Sequence, residues 1–100
     1  MRTAPTRLTN LLIWAVFAPG FAACTIDSPK SRYILAERLW TDHNYAAAVV
    51  EFEKVIVKDP HGALGLQALF RAAMTQTIYL SQHADAVEKF HRYIERADEP

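Results

Sequence analysis

Five side chains in this 100-residue chain have the chemistry for nucleophilic, acid–base or metal work near neutral pH: the one cysteine, Cys24, and His43, His61, His83 and His91. A lone cysteine excludes an internal disulfide framework and every multi-cysteine zinc set. No two of the histidines stand four apart, the spacing that puts paired ligands on one helical face. His43 and His61 fall in turn-forming stretches, His83 opens a helix and His91 lies among charges, so all four read as solvated. The three glycines are scattered and make no phosphate-binding loop, and Ser28, Ser31 and Ser81 have no nucleophile motif around them. Lys+Arg and Asp+Glu balance at 11 each, which gives no electrostatic footprint for nucleic acid. The sequence therefore predicts no enzyme, no metal, no cofactor and no small-molecule substrate. The reactive group left to explain is Cys24.

Cys24 stands at the end of a segment built unlike the rest. Residues 1–23 contain two positive charges, Arg2 and Arg7, and no negative one; "LLIWAVFA" follows, unbroken from Leu11 to Ala18, and Pro19 and Gly20 interrupt it before Ala22 and Ala23. A basic start, a short apolar run and small residues are the three parts of an export signal. The run is too short for a membrane-spanning helix, which needs about 20 apolar residues. "FAAC", Phe21 to Cys24, resembles the lipobox of bacterial lipoproteins, with Cys24, Ala23 and Ala22 matching and Phe21 in place of the usual leucine. That resemblance implies a diacylglycerol on the Cys24 sulfur, cleavage before Cys24 and, with Thr25 next, sorting to the outer membrane. The alternative is ordinary cleavage after Ala22, which releases a soluble protein with a free thiol. Residues 24–28 then form a short tether, on the order of 14 Å fully extended, and residues 29–100 the domain beyond it.

That domain reads as four helices. Ser28 and Pro29 suit the cap and first position of a helix on which Tyr33, Ala36, Leu39 and Trp40 share one face. "TDHN" breaks it at Thr41 to Asn44. A second helix, Tyr45 to Lys58, carries Ala48, Val49, Phe52, Val55 and Ile56 on one side and is stopped by "DPHG". The third, about Ala63 to Leu80, has a single charge, Arg71, and is apolar or small nearly all round, so it is expected to be buried on two sides. The fourth, from about His83 to Ala97, is expected to turn Val87, Phe90, Ile94 and Ala97 inward, with Asp85–Lys89 and Glu88–Arg92 as i,i+4 ion pairs.

The second and fourth helices repeat at a spacing of 38: Ala48 falls on Ala86, Val49 on Val87, Phe52 on Phe90, and Val55 on Tyr93. The hairpins resemble tetratricopeptide repeats. In the first unit, about 29–62, Tyr45, Ala48, Phe52 and Pro60 match that family's spacing; the second, about 63–98, has Ser81 and His83 in its turn and Asp98 where proline is usual. The long period and "DPHGALGLQALFRAA" are similar to the branch of envelope repeat proteins that includes BamD-like lipoproteins and CpoB-like periplasmic proteins. The resemblance implies an all-α fold of two helix-turn-helix repeats, four antiparallel helices in all, and a concave groove lined by Lys30, Tyr33, Glu37, Trp40, Thr41, Phe70 and Met74.

The function implied is a non-catalytic adaptor held at the outer membrane, facing the periplasm and serving envelope or outer-membrane protein assembly. A pilotin-like accessory of a secretion or pilus system and a soluble secreted binding module are the alternatives. Two repeats fall short of the roughly three that a stable stack needs, so a protein partner in the envelope, or self-association, is expected to cover the exposed helix faces.

Overall fold

The computed structural model describes residues 27–99. The predicted signal 1–23, the predicted lipid-attachment residue Cys24 and most of the predicted tether lie outside the described residues. Within them the chain forms four helices and no strand: α1 Pro29–Thr41, α2 Tyr45–Lys58, α3 Ala63–Ile78 and α4 His83–Ala97.

Each helix boundary has a local cause. Ser28 is extended, its hydroxyl accepts the Ser31 N–H at 3.1 Å, and Pro29 takes a first-turn position where its missing N–H costs nothing. After α1 the chain reverses through His43, whose φ of 64° is left-handed, and the Asn44 N–H returns to the Leu39 carbonyl at 2.9 Å. Asp59 ends α2 and also serves α3, since its carboxylate accepts the Gly65 N–H at 3.2 Å in place of a side-chain cap from Gly62. A negative group there also suits the positive end of the α3 dipole. The last turn comes two residues earlier than the sequence predicts. Ser81 adopts φ 54° and the Gln82 N–H bonds the Gln76 carbonyl at 2.9 Å, so α3 stops at Ile78 rather than Leu80.

Packing centres on α3, which touches α1, α2 and α4, whereas α4 packs its backbone against α3 alone. This is the two-sided burial expected from its composition. Gly65, Ala68, Leu69, Ala72 and Ala73 are buried along it, and small side chains let three neighbours approach. The core joins Ala36 of α1, the apolar face of α2 and Ala68, Leu69 and Ala72 of α3, around the fully buried ring of Phe52. Tyr33 meets that ring edge-on with centroids 5.4 Å apart.

The fourth helix departs from expectation. Val87, Ile94 and Ala97 face outward, Phe90 is half-buried, and Ala86 and Lys89 occupy the inner face. Adjacent residues on a helix lie about 100° apart, so the choice between Ala86 and Val87 decides which stripe is covered. Alanine at 86 allows close approach to α3, and Lys89 is held inward by Glu53 of α2 at 3.0 Å. Lys89 therefore makes no pair with Asp85, while Glu88–Arg92 forms at 3.8 Å and His91–Glu95 at 3.4 Å.

Gly65 is the tightest backbone approach. A Cβ there would stand 1.8 Å from the Asp59 carbonyl oxygen, backbone that cannot swing aside. Gly65→Ala is expected to lower stability by roughly 1–3 kcal/mol, the range for overpacking that shifts backbone. Urea unfolding followed by circular dichroism measures it, and an unchanged midpoint would contradict the packing described for the α2–α3 turn.

Candidate functional site

The last turn of α1 carries Trp40 toward α3, and the two helices enclose a cleft of about 210 Å³ lined by Trp40, Phe70, Arg71, Met74, Thr75 and Ile78, with Tyr79 at its end. Its walls are held by hydrogen bonds and charge as well as by contact. The Trp40 indole N–H donates to Thr75 Oγ1 at 3.1 Å, and that hydroxyl donates in turn to the Arg71 carbonyl at 2.7 Å. Arg71 is ion-paired with Glu37. Its guanidinium lies 5.1 Å from the Trp40 ring centroid and 5.4 Å from that of Phe52. A cation over an aromatic face contributes about 0.5–2 kcal/mol depending on desolvation, so Arg71 is fixed from three sides.

One rim of the cleft is aromatic. Tyr45, the first residue of α2, stacks on Tyr79 with centroids 4.0 Å apart and planes 10° from parallel, and Trp40 meets both rings edge-on at 5.7 and 6.0 Å. Partial desolvation, then the neighbouring Tyr79 hydroxyl, raises the Tyr45 phenol above its ordinary value. Burial, then the Glu37 charge, raises that of Tyr33.

Of the predicted groove residues, the fold brings Trp40, Phe70 and Met74 into one cleft, and Glu37 joins it through Arg71. Tyr33 is half-buried against Phe52. Lys30 is exposed on α1 away from the cleft lining, and Thr41 spends its hydroxyl on the Glu37 carbonyl at 2.9 Å. Arg71, Thr75, Ile78, Tyr45 and Tyr79 are the residues the sequence reading missed. Arg71 had a visible signal, as the single charge of an otherwise apolar helix. The Tyr45–Tyr79 stack had none, because 34 residues separate two aromatics that each sit at a helix end.

The cleft holds neither a nucleophile beside a base nor a carboxylate pair. Among the described residues no three of His, Cys, Asp and Glu come together as a metal-ligand set, and no helix is long and apolar enough to cross a membrane. Small-molecule sites commonly enclose about 300–1,000 Å³; this cleft, at about 210 Å³, is smaller. The chain matches no protein-family profile, no curated protein and no solved structure.

The tyrosines give the site a pH signature. A phenol whose folded pKa is raised holds its proton more tightly in the fold, so its contribution to stability is complete below about pH 10 and is lost as pH rises through the folded value. Thermal melts between pH 8 and 11 should show a falling midpoint at the alkaline end, with a shallower fall in a Tyr33→Phe/Tyr45→Phe variant. Identical slopes in the two proteins would contradict the environment described for these rings.

Proposed function

We propose that this chain is a non-catalytic protein-interaction module, anchored by a lipid on Cys24 at the outer membrane and facing the periplasm, whose two hairpins are tetratricopeptide-like units. The observation that carries the reading is the α1–α3 cleft. Aromatic side chains and an immobilised Arg71–Glu37 pair converge there on a space sized for a partner's side chains. Aromatic and arginine anchors supply most of the binding energy at protein interfaces, and anchors already held in place lose little conformational entropy on binding. The 38-residue recurrence of Ala, Val and Phe supports two related units, and so does the seating of α3 against both helices of the first hairpin. The basic start, short apolar run and "FAAC" support export and lipidation.

Two measurements on the protein as its own cell matures it test the two halves of this reading. Intact mass spectrometry of the membrane-extracted chain should give an N-terminus at Cys24 carrying a diacylglycerol; a free Cys24 thiol on a chain beginning at Ala23 would overturn the anchor. Cross-linking in cells from position Met74 should capture an envelope protein, and Trp40→Phe, which removes the indole N–H and narrows the anchor while keeping an aromatic ring, should lower that yield at least threefold. Equal yields from both would place the binding energy elsewhere.

A further inference from the structure

The face of α4 that the sequence marks as its apolar stripe is uncovered, and the chain contains a template for what covers such a face. Val49 and Ile56 of α2 are 4 % and 5 % exposed, in one core with Leu69 and Ala72 of α3. Their equivalents 38 residues on, Val87 and Ile94 of α4, are 65 % and 59 % exposed. The same side chains on the same face of the second hairpin differ because α3 follows α2 and no described helix follows α4. The helix needed there is one that stands to α4 as α3 stands to α2.

The chain has such a helix at its other end. Among the described helices α1 is the counterpart of α3, the first member of its own hairpin, and no described helix packs on it ahead of α2. Ile34 on its outer side is 48 % exposed, Leu35 beside it is half-buried, and Lys30 and Arg38 flank them. Neither Lys30 nor Arg38 forms an ion pair among the described residues. The uncovered face of α4 has the opposite edge. Glu95 touches only His91, and Asp98 and Glu99 have no cationic partner among the described residues. Among the described residues the α1 end thus carries Lys30 and Arg38 beside Ile34 against one unpaired carboxylate, Asp42, and the α4 end carries Glu95, Asp98 and Glu99 against one unpaired arginine, Arg96, so the two ends differ in sign of charge.

We propose that a second copy of this chain covers the α4 face, its α1 seated on α4 of the first copy as α3 is seated on α2, so that copies stack head to tail. The contact joins two different surfaces, so each added copy again presents a free α4, and assembly proceeds to rings or open filaments unless something caps it. The stack extends the repeat order of the fold and uses neither the α1–α3 cleft nor the lipid, so it stands or falls separately from the reading above.

The test uses full-length chains carrying two different tags, co-expressed and purified in detergent as the cell matures them. Val87→Glu/Ile94→Glu disables the α4 face and Ile34→Glu the α1 face; all three positions are exposed in the single copy. Each variant paired with itself should co-purify at least tenfold less than wild type. The two variants paired with each other should recover wild-type co-purification and give, on cross-linking, a product of two copies and nothing larger. Arg38→Glu should weaken wild-type pairing and Glu95→Arg in the same chain restore it, a rescue that misfolding cannot imitate. A mixed pair that fails to form, α4 variants that pair with themselves undiminished, or a wild-type chain that never captures its other-tagged copy would each overturn the proposal.

Discussion

Everything in this domain is organised by the close approach of three helices to α3. That approach requires small side chains on more than one face, which Gly65, Ala68, Ala72 and Ala73 provide, and it requires the α2–α3 turn to bring the Asp59 backbone over Gly65. Phe52 then fills the space between the first three helices, and Tyr33, Arg71 and Trp40 arrange themselves around it. The cleft follows from the same constraint. Because α3 lies directly against α1, Trp40 reaches Thr75, and Arg71 has a carboxylate and two aromatic faces within reach.

The same arrangement leaves α4 half-packed. It packs on α3 through Ala86 and through Phe90 and Tyr93, whose rings meet Phe70 at 6.1 and 5.4 Å, and reaches α2 through the Lys89–Glu53 pair. Lys89 is buried while Glu53 is half-exposed, so the pair contributes little net stability once the desolvation of Lys89 is counted, although removing Glu53 would leave a buried cation unpaired. With Ala86 and Lys89 on the inner side of α4, Val87 and Ile94 lie on the face that no described helix covers, where Val49 and Ile56 of α2 are covered by α3.

How much of this could be read from the residues alone depends on which force decided each feature. Helix ends set by local chemistry were legible: Ser28 with Pro29, "TDHN" and "DPHG" all mark observed boundaries. So was the two-sided burial of α3, since a helix with one charge has no polar face to expose. Which stripe of α4 is covered was not legible, because periodicity marks the most apolar stripe, whereas the described fold covers Ala86 and Lys89 and places no helix over Val87 and Ile94. At the cleft, Trp40, Phe70 and Met74 were expected from the resemblance to tetratricopeptide repeats. Arg71 was visible only as an anomaly, and the Tyr45–Tyr79 stack depends on a contact across helices that no local pattern encodes.

The most direct test of the account is native-state amide hydrogen exchange in dilute protein, where copies do not associate. If α3 is the shared centre and α4 is half-packed, the amides from Ala68 to Gln76 should exchange only through global opening, while those of α4 exchange through a separate opening of lower free energy. Protection in α4 equal to that in α3 would contradict the account, since it would mean that the fourth helix is as fully integrated as the first three.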